Sequence, residues 1–400
     1  MQVNGGRGCR SSLQAEVCVP MRISSAFDSG SIEVVDAGPQ GTINLKLRRD
    51  HASDPGVEIR QWFHFRLQGA CNKAVTLRIV NAGAATFAAG WKDYQACASY
   101  DRVNWFRVPT RYDGTVMTIA HVPERDSVYY AYFEPYSWER HLQLLGRAGD
   151  SPLARVDDLG ATPEGRDLNC VRVSASGGGG GGRKQVWIIA RQHPGETMAE
   201  WLVEGMLERL LDAGDPVSKK LLAASDFHIV PNMNPDGSVN GNLRVSATGA
   251  NLNREWVSPS EERSPEVLRV RNEIERTGCD FFLDVHGDEI IPYVFAAGCE
   301  MLPSATAKQN AAQQRYLDAL VRAAPDFQLE QGYPAGRYSE DALKLASKWV
   351  GHRFGCISLT LELPFKDNFN RPDAVTGWSG ARSKQLGREV LTALAETMAQ

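Results

Sequence analysis

From Lys184 to the C-terminus, short apolar runs alternate with longer runs of helical period, and no other feature limits the fold as strongly. The order is strand (Lys184–Ala190), helix (Thr197–Ala213), helix (Val217–Ala224), strand (Phe227–Asn232), a long polar loop, helix (Ser260–Gly278) and strand (Cys279–Val285). A strand near Ile291–Ala297, a helix (Ala305–Ala324), a strand (Gly355–Leu361) and a C-terminal helix (Ser379–Ala399) complete it. A strand covered on both faces reads as an unbroken apolar run, as Val186-Trp187-Ile188-Ile189-Ala190 does. The pattern predicts an α/β fold with a mostly parallel mixed sheet flanked by helices. Such sheets bind ligands beyond the carboxyl ends of their strands.

Residues from about Ile23 to Tyr136 follow another rule. Runs such as Trp62-Phe63-His64-Phe65-Arg66-Leu67 and Val75-Thr76-Leu77-Arg78-Ile79-Val80 alternate or are rich in aromatics, and Gly, Asp, Pro and Asn separate them. That spacing predicts an antiparallel β-sandwich. Its aromatic residues, and His51, His64 and His121, are expected in ordinary core or surface positions. Three segments result: an N-terminal extension (1–22), a sandwich (23–137) and an α/β domain (138–400), with Pro135-Tyr136-Ser137-Trp138 as the hinge. Six glycines, Gly177 to Gly182, lie between strands expected at Leu168–Ser174 and Lys184–Ala190. They lack the Lys-Ser/Thr and helix start of a phosphate loop, so a floppy hairpin connection is expected.

The formal net charge of −4 lacks the basic excess of a nucleic-acid binder, so no nucleic acid is expected as partner. No apolar run reaches the roughly 18–20 residues that cross a bilayer, so no membrane is expected either. The first twenty residues lack the apolar core of a signal peptide. The eight cysteines form no CxxC and read as reduced thiols, which points to the cytoplasm.

The polar residues that stand out fall where the strands end. Gln192-His193-Pro194-Gly195-Glu196 follows one strand and opens a helix. Neutral imidazole and carboxylate are both good Zn²⁺ ligands, although so short a pair more often does no more than face solvent. Phe281-Phe282-Leu283-Asp284-Val285 runs into His286-Gly287, which offers a third ligand. His₂Glu with an open fourth position defines a catalytic zinc site. Leu359-Thr360-Leu361-Glu362 brings a carboxylate to another strand end, where a general base is needed. The loop between Asn232 and Trp256 carries Arg244 and Asn253-Arg254. Two guanidiniums suit peptide chemistry, one on the scissile carbonyl and one on a substrate carboxylate. A solvated loop is the alternative.

Taken together, His193-Pro194-Gly195-Glu196, Asn234-Pro235-Asp236-Gly237, Gly241-Asn242-Leu243-Arg244, Asn253-Arg254-Glu255-Trp256, His286-Gly287 and Thr360-Leu361-Glu362 resemble the zinc metallocarboxypeptidases of the carboxypeptidase A type. More narrowly the chain resembles the cytosolic carboxypeptidases and their bacterial members. Gln61-Trp62-Phe63-His64-Phe65, Ser99-Tyr100-Asp101-Arg102 and Pro135-Tyr136-Ser137 resemble the β-sandwich that this subfamily carries ahead of its catalytic domain. The resemblance implies one zinc ion per chain and removal of residues from peptide or protein C-termini. It implies that His193, Glu196 and His286 hold the metal and that Glu362 is the base. It implies that Arg244 polarises the scissile carbonyl and that Asn253 and Arg254 grip the terminal carboxylate.

Two positions depart from the family pattern. Asn251 stands where an aspartate often orients a ligand histidine; its side-chain carbonyl can still accept the imidazole proton, without the charge. The substrate-capping tyrosine falls on Tyr338, with Tyr333 as rival. Lys348 lies near the pocket for the departing residue, which makes acidic C-terminal residues, glutamate above all, the expected preference. Two other functions fit the same motifs: a zinc amidohydrolase acting on small N-acyl amino acids or cell-wall peptides, and a non-catalytic zinc-containing binding module.

Overall fold

The structure, a computed structural model, describes residues 21–38, 41–52, 56–175, 182–334 and 339–397. The extension before residue 21, most of the glycine run and Tyr338 lie outside them.

Ten strands make the first layer: β1 (Arg22–Ser24), β2 (Glu33–Ala37), β3 (Thr42–Lys46), β4 (His64–Gln68), β5 (Val75–Ile79), β6 (Ala96–Ser99), β7 (Trp105–Val108), β8 (Thr110–Tyr112), β9 (Met117–His121) and β10 (Ser127–Ala131). They form two five-stranded sheets, ordered β1-β4-β10-β6-β7 and β2-β3-β5-β9-β8. The pairing is antiparallel except for β3 beside β5, which is parallel. Alternation decides which side is inside: Phe63, Phe65 and Leu67 from one sheet, and Leu45, Leu77, Ile79, Met117 and Ile119 from the other, are buried in one core.

Pro135-Tyr136-Ser137-Trp138, the expected junction, is packed against the second layer. Tyr136 is buried and its hydroxyl donates to Glu204 Oε2 at 2.7 Å, while Ser137 caps the next helix by accepting from the Arg140 amide. Amphipathic tyrosine and a capping serine make this junction a packed seam.

The second layer runs α1 (Trp138–Gly149), β11 (Ala154–Ala161), β12 (Asp167–Val173), β13 (Lys184–Ala190), α2 (Met198–Leu210), α3 (Pro216–Ala224), β14 (Ser225–Val230), α4 (Pro235–Asn240), α5 (Pro265–Thr277), β15 (Phe281–Asp288), β16 (Phe295–Ala297), α6 (Ala307–Ala323), α7 (Ala346–Phe354), β17 (Ile357–Pro364) and α8 (Gly380–Thr397). The seven-stranded sheet has the order β11-β12-β14-β13-β15-β17-β16. The four central strands are parallel, and β11, β12 and β16 pair antiparallel at the edges. The mixed, mostly parallel sheet predicted from the alternation is the one observed. The strands on either side of the glycine run are not a hairpin, because β14 lies between them. The wholly buried run Val186–Ala190 takes parallel partners on both edges, and β12 is left to flank β14. Helices α2 and α8 cross closely at two glycines: a Cβ on Gly205 would stand 2.1 Å from the Lys384 carbonyl oxygen, and one on Gly387 2.2 Å from that of Leu202.

Candidate metal centre and active site

Strand β13 ends at Ala190, and the chain turns at once. Arg191 takes a left-handed φ of 60°, costly for a residue with a Cβ, and its fully buried side chain holds the turn that follows. Its Nε donates to the Pro194 carbonyl at 2.8 Å, and its Nη1 donates to the Tyr136 carbonyl at 2.9 Å and to Glu200 Oε2 at 2.6 Å. Glu196 and His193 are thereby fixed beyond the strand end. Val285, next to His286, pairs with Ala190, and His286 pairs with Glu362 on the following strand.

The ligand atoms of His193, Glu196 and His286 lie within 4.8 Å of one another, and all three residues are buried. His193 Nδ1 is 2.7 Å from Glu196 Oε1, His286 Nδ1 is 2.8 Å from Glu196 Oε2, and the two Nδ1 atoms are 3.2 Å apart. Each ring has an acceptor for its other nitrogen: Asn251 Oδ1 at 3.0 Å from His193 Nε2, and Asp284 Oδ2 at 2.9 Å from His286 Nε2. A proton on Nε2 in each leaves both Nδ1 lone pairs facing the carboxylate. Asp284 is itself held by Gln192 Nε2 at 2.8 Å.

The electrostatics show what this cluster wants. Burial, helped by Arg244, pulls His193 down to about 4, so its imidazole is neutral. Burial acts the same way on His286, but Asp284 and Glu196 override it and hold that ring well above the ordinary histidine value. Burial would raise Glu196, and the two imidazoles instead hold it below the usual carboxylate range. A neutral imidazole, a second imidazole and an ionised carboxylate thus meet at one point, a donor set that fits a zinc ion.

A cleft of about 370 Å³ opens over the cluster. Glu362, Arg244, Asn253, Arg254, Lys348 and Tyr333 all line it. Glu362 is buried and pushed up to about 8, chiefly by burial, with Glu196 and Asp288 adding to the effect. Tyr333 lies 2.9 Å from Glu362 Oε1 and 3.0 Å from Asp288 Oδ2 through its hydroxyl. A phenol has one proton, so both contacts are hydrogen bonds only when one carboxyl is protonated, and Glu362 is the raised one. Among the described residues Glu362 Oε2 has no hydrogen-bond partner.

The other expected residues are less uniform. Among the described residues the Arg244 guanidinium makes no hydrogen bond; it lies 5.4 Å from the centre of the Phe87 ring. Asn253 is committed within the protein: its Oδ1 accepts from the Ala346 amide at 2.9 Å and its Nδ2 lies 3.3 Å from His286 Nε2. Arg254 donates to the Asn253 carbonyl at 2.7 Å and is otherwise exposed. Lys348, on α7, is half-buried. Asp284 and Phe87 were not singled out in the sequence. Asp284 had a readable signal, since it stands two residues before His286 and so on the same face of a strand.

Strand-end ligands in a buried cleft, on a mixed sheet with a β-sandwich ahead of it, define a metallohydrolase. The chain matches the family model of the cytosolic carboxypeptidase N-terminal domain over residues 23–133 and that of zinc carboxypeptidase over residues 145–377. A metallo-carboxypeptidase structure from Burkholderia cenocepacia is 54% identical, with a TM-score of 0.92 over 95% of this chain and 100% of that one. A Pseudomonas aeruginosa metallo-carboxypeptidase in complex with (2-guanidinoethylmercapto)succinic acid is 45% identical, with a TM-score of 0.89 over 94% of this chain and 99% of that one. Human cytosolic carboxypeptidase 1 is 28% identical over 70% of this chain, which spans 26% of that longer protein. This chain belongs to the zinc carboxypeptidase family, next to the cytosolic carboxypeptidases, and is a metal-dependent peptidase.

Proposed function

We propose that this enzyme removes C-terminal residues from peptides or proteins with one zinc ion held by His193, Glu196 and His286. The observation that carries this is the convergence of two neutral-capable imidazole Nδ1 atoms and a carboxylate within 4.8 Å, under a cleft that also holds Glu362. Bound zinc supplies Lewis acidity, which makes water easier to deprotonate and a carbonyl easier to attack. Glu362 takes the proton of the attacking water on its unpartnered oxygen and returns it to the leaving nitrogen. Burial raises the proton affinity of Glu362, which favours its holding the proton between the two halves of that transfer. Arg244 donates to the oxygen that becomes negative as the carbonyl is attacked. Arg254 binds the substrate's terminal carboxylate, and Asn253 sets its position. Tyr333 closes over the substrate from the cleft rim, and Tyr338, the other candidate, lies outside the described residues.

Lys348 favours an acidic departing side chain, because among the described residues its ammonium has no ion-pair partner and it lines the cleft. The Pseudomonas relative's ligand carries carboxylates and also a guanidine, so a basic terminus belongs in the comparison. Six described cysteines are free thiols, in keeping with action in the reducing cytoplasm.

The test is product analysis by mass spectrometry on blocked peptides ending in Glu, Leu or Lys, with N-acyl amino acids in parallel. Glu-ending peptides should be trimmed fastest, and Lys348→Met should remove that advantage. Turnover of N-acyl amino acids alone would replace the carboxypeptidase reading with an amidohydrolase. Glu362→Gln should retain the metal and lose turnover by about 10²–10⁴-fold.

A further inference from the structure

We propose that the β-sandwich is a working part of the active site: Asp50 and Phe87 are positioning residues that set Arg244 in place over the cleft. The inference rests on Arg244 acting at the substrate carbonyl.

Arg244 sits in an irregular loop with no helix or strand to fix it, and among the described residues no hydrogen bond holds its guanidinium. Its backbone is fixed instead. One buried carboxylate, Asp50, accepts from three successive amides: Leu243 N at 2.7 Å to Oδ1, then Arg244 N at 2.7 Å and Val245 N at 3.2 Å to Oδ2. Charge-assisted bonds of this kind are about twice as strong as neutral ones. The neighbours of Asp50 reinforce the grip. The His51 amide donates to Asn242 Oδ1 at 2.6 Å, and Asn242 Nδ2 returns a bond to the His51 carbonyl at 3.1 Å. Arg48 reaches the Asn240 carbonyl at 3.2 Å, and the Ser29 amide donates to the Val239 carbonyl at 3.0 Å. On the opposite side, the Leu243 carbonyl accepts from the Gly195 amide at 2.9 Å, inside the turn that carries His193 and Glu196. The Arg244 segment is therefore held between the sandwich and the ligand turn.

The side chain meets the same layer. Phe87 lies within cation–π range of the guanidinium and lines the cleft beside it. Phe87 is fixed in turn by Gln61, whose Oε1 accepts from the Phe87 amide at 3.0 Å and whose Nε2 donates to the Phe87 carbonyl at 3.4 Å. A carbonyl-polarising group misplaced by about 1 Å costs on the order of 100-fold in rate. A clamp that fixes the Arg244 backbone on one side and its guanidinium on the other supplies that placement.

A purely structural clamp would lower the melting temperature and leave the chemistry alone, so the test is a double-mutant cycle. Asp50→Ala, Arg244→Ala and the pair are compared with the parent on one blocked peptide, as zinc-loaded full-length enzyme; Asp50→Asn replaces Asp50→Ala if the latter does not fold. Asp50→Ala is expected to lower kcat about 10- to 100-fold with KM within about twofold. In the Arg244→Ala background the same change is expected to alter kcat less than about twofold. Phe87→Leu should show the same pattern with a smaller loss. Equal losses in both backgrounds, or no loss from Asp50→Ala in the parent, overturn the clamp while leaving the Arg244 assignment intact. Parental kcat in Arg244→Ala alone overturns the assignment, and the clamp with it.

Discussion

The two candidate ligand histidines are supported unequally, and that asymmetry can be measured. His286 Nε2 faces a carboxylate, Asp284, whereas His193 Nε2 faces only the side-chain amide of Asn251, at 3.0 Å. A neutral hydrogen bond contributes about 0.5–1.5 kcal/mol, and one to a charged group about 1.5–3 kcal/mol. Asn251→Asp keeps the shape and adds the charge. Asn251 is half-buried, so desolvation takes back part of the gain, and about 1 kcal/mol remains. That is roughly a fivefold tightening of metal binding, somewhat less than the 10–100-fold that loss of an outer partner of a ligand histidine commonly costs. Asn251→Ala, which leaves the Nε2 proton without this acceptor, should weaken binding about tenfold. The assay is zinc competition against a chelator of known affinity at fixed pH. If Asn251→Asp binds zinc no tighter than the parent while Asn251→Ala matches it too, then His193 does not depend on this contact and the ligand geometry is wrong.

Three further outcomes follow from single contacts. Tyr333→Phe removes the hydroxyl that reaches both Glu362 and Asp288, and kcat/KM should fall about tenfold with metal content unchanged. An unchanged kcat/KM would free Tyr333 from any role in turnover. Glu266 is a buried carboxyl with no hydrogen-bond partner for either oxygen among the described residues, and burial pushes it up to about 7. Because its folded value exceeds the unfolded one, the fold holds a proton that the unfolded chain has lost between about pH 4.5 and 7, so stability falls as pH rises through that window. The loss is on the order of 3 kcal/mol, and Glu266→Gln should abolish it in urea titrations at pH 5 and pH 8.5. Saturating zinc should raise the melting temperature of the parent and leave that of a His193→Ala, His286→Ala double variant where it was.

The convergence of the candidate ligands and Glu362 was legible because a parallel sheet announces itself as apolar runs, and a polar residue at the end of such a run has few structural reasons to be there. Tyr333 and Tyr338 could not be separated, since they sit five residues apart in a stretch with no periodicity. Helix α7, which carries Lys348, went unread: its N-cap is Leu345, which offers no side-chain bond, so the usual start signal is missing. Asp50 was the least legible of all. It lies in Arg48-Arg49-Asp50-His51, which reads as a solvated charge cluster, and it binds amides some 190 positions away. Backbone amides carry no residue identity, so a carboxylate that recognises them leaves no pattern in the sequence.

The strand order also fits the role proposed for Glu362, a base that stands beside a candidate ligand. Strands β13, β15 and β17 are consecutive neighbours, about 4.8 Å apart. The turn after β13 carries two of the candidate ligands and the end of β15 carries the third, which closes the cluster across one strand spacing. Glu362 pairs with His286 from the far side, one strand further from the turn. Tyr333 holds one of its oxygens, and the cluster of three groups within mutual reach does not include it. A base must be near enough to exchange a proton with the attacking water yet not itself be spent on the cation. In a parallel sheet that separation comes from placing base and ligand turn on opposite neighbours of the central histidine strand.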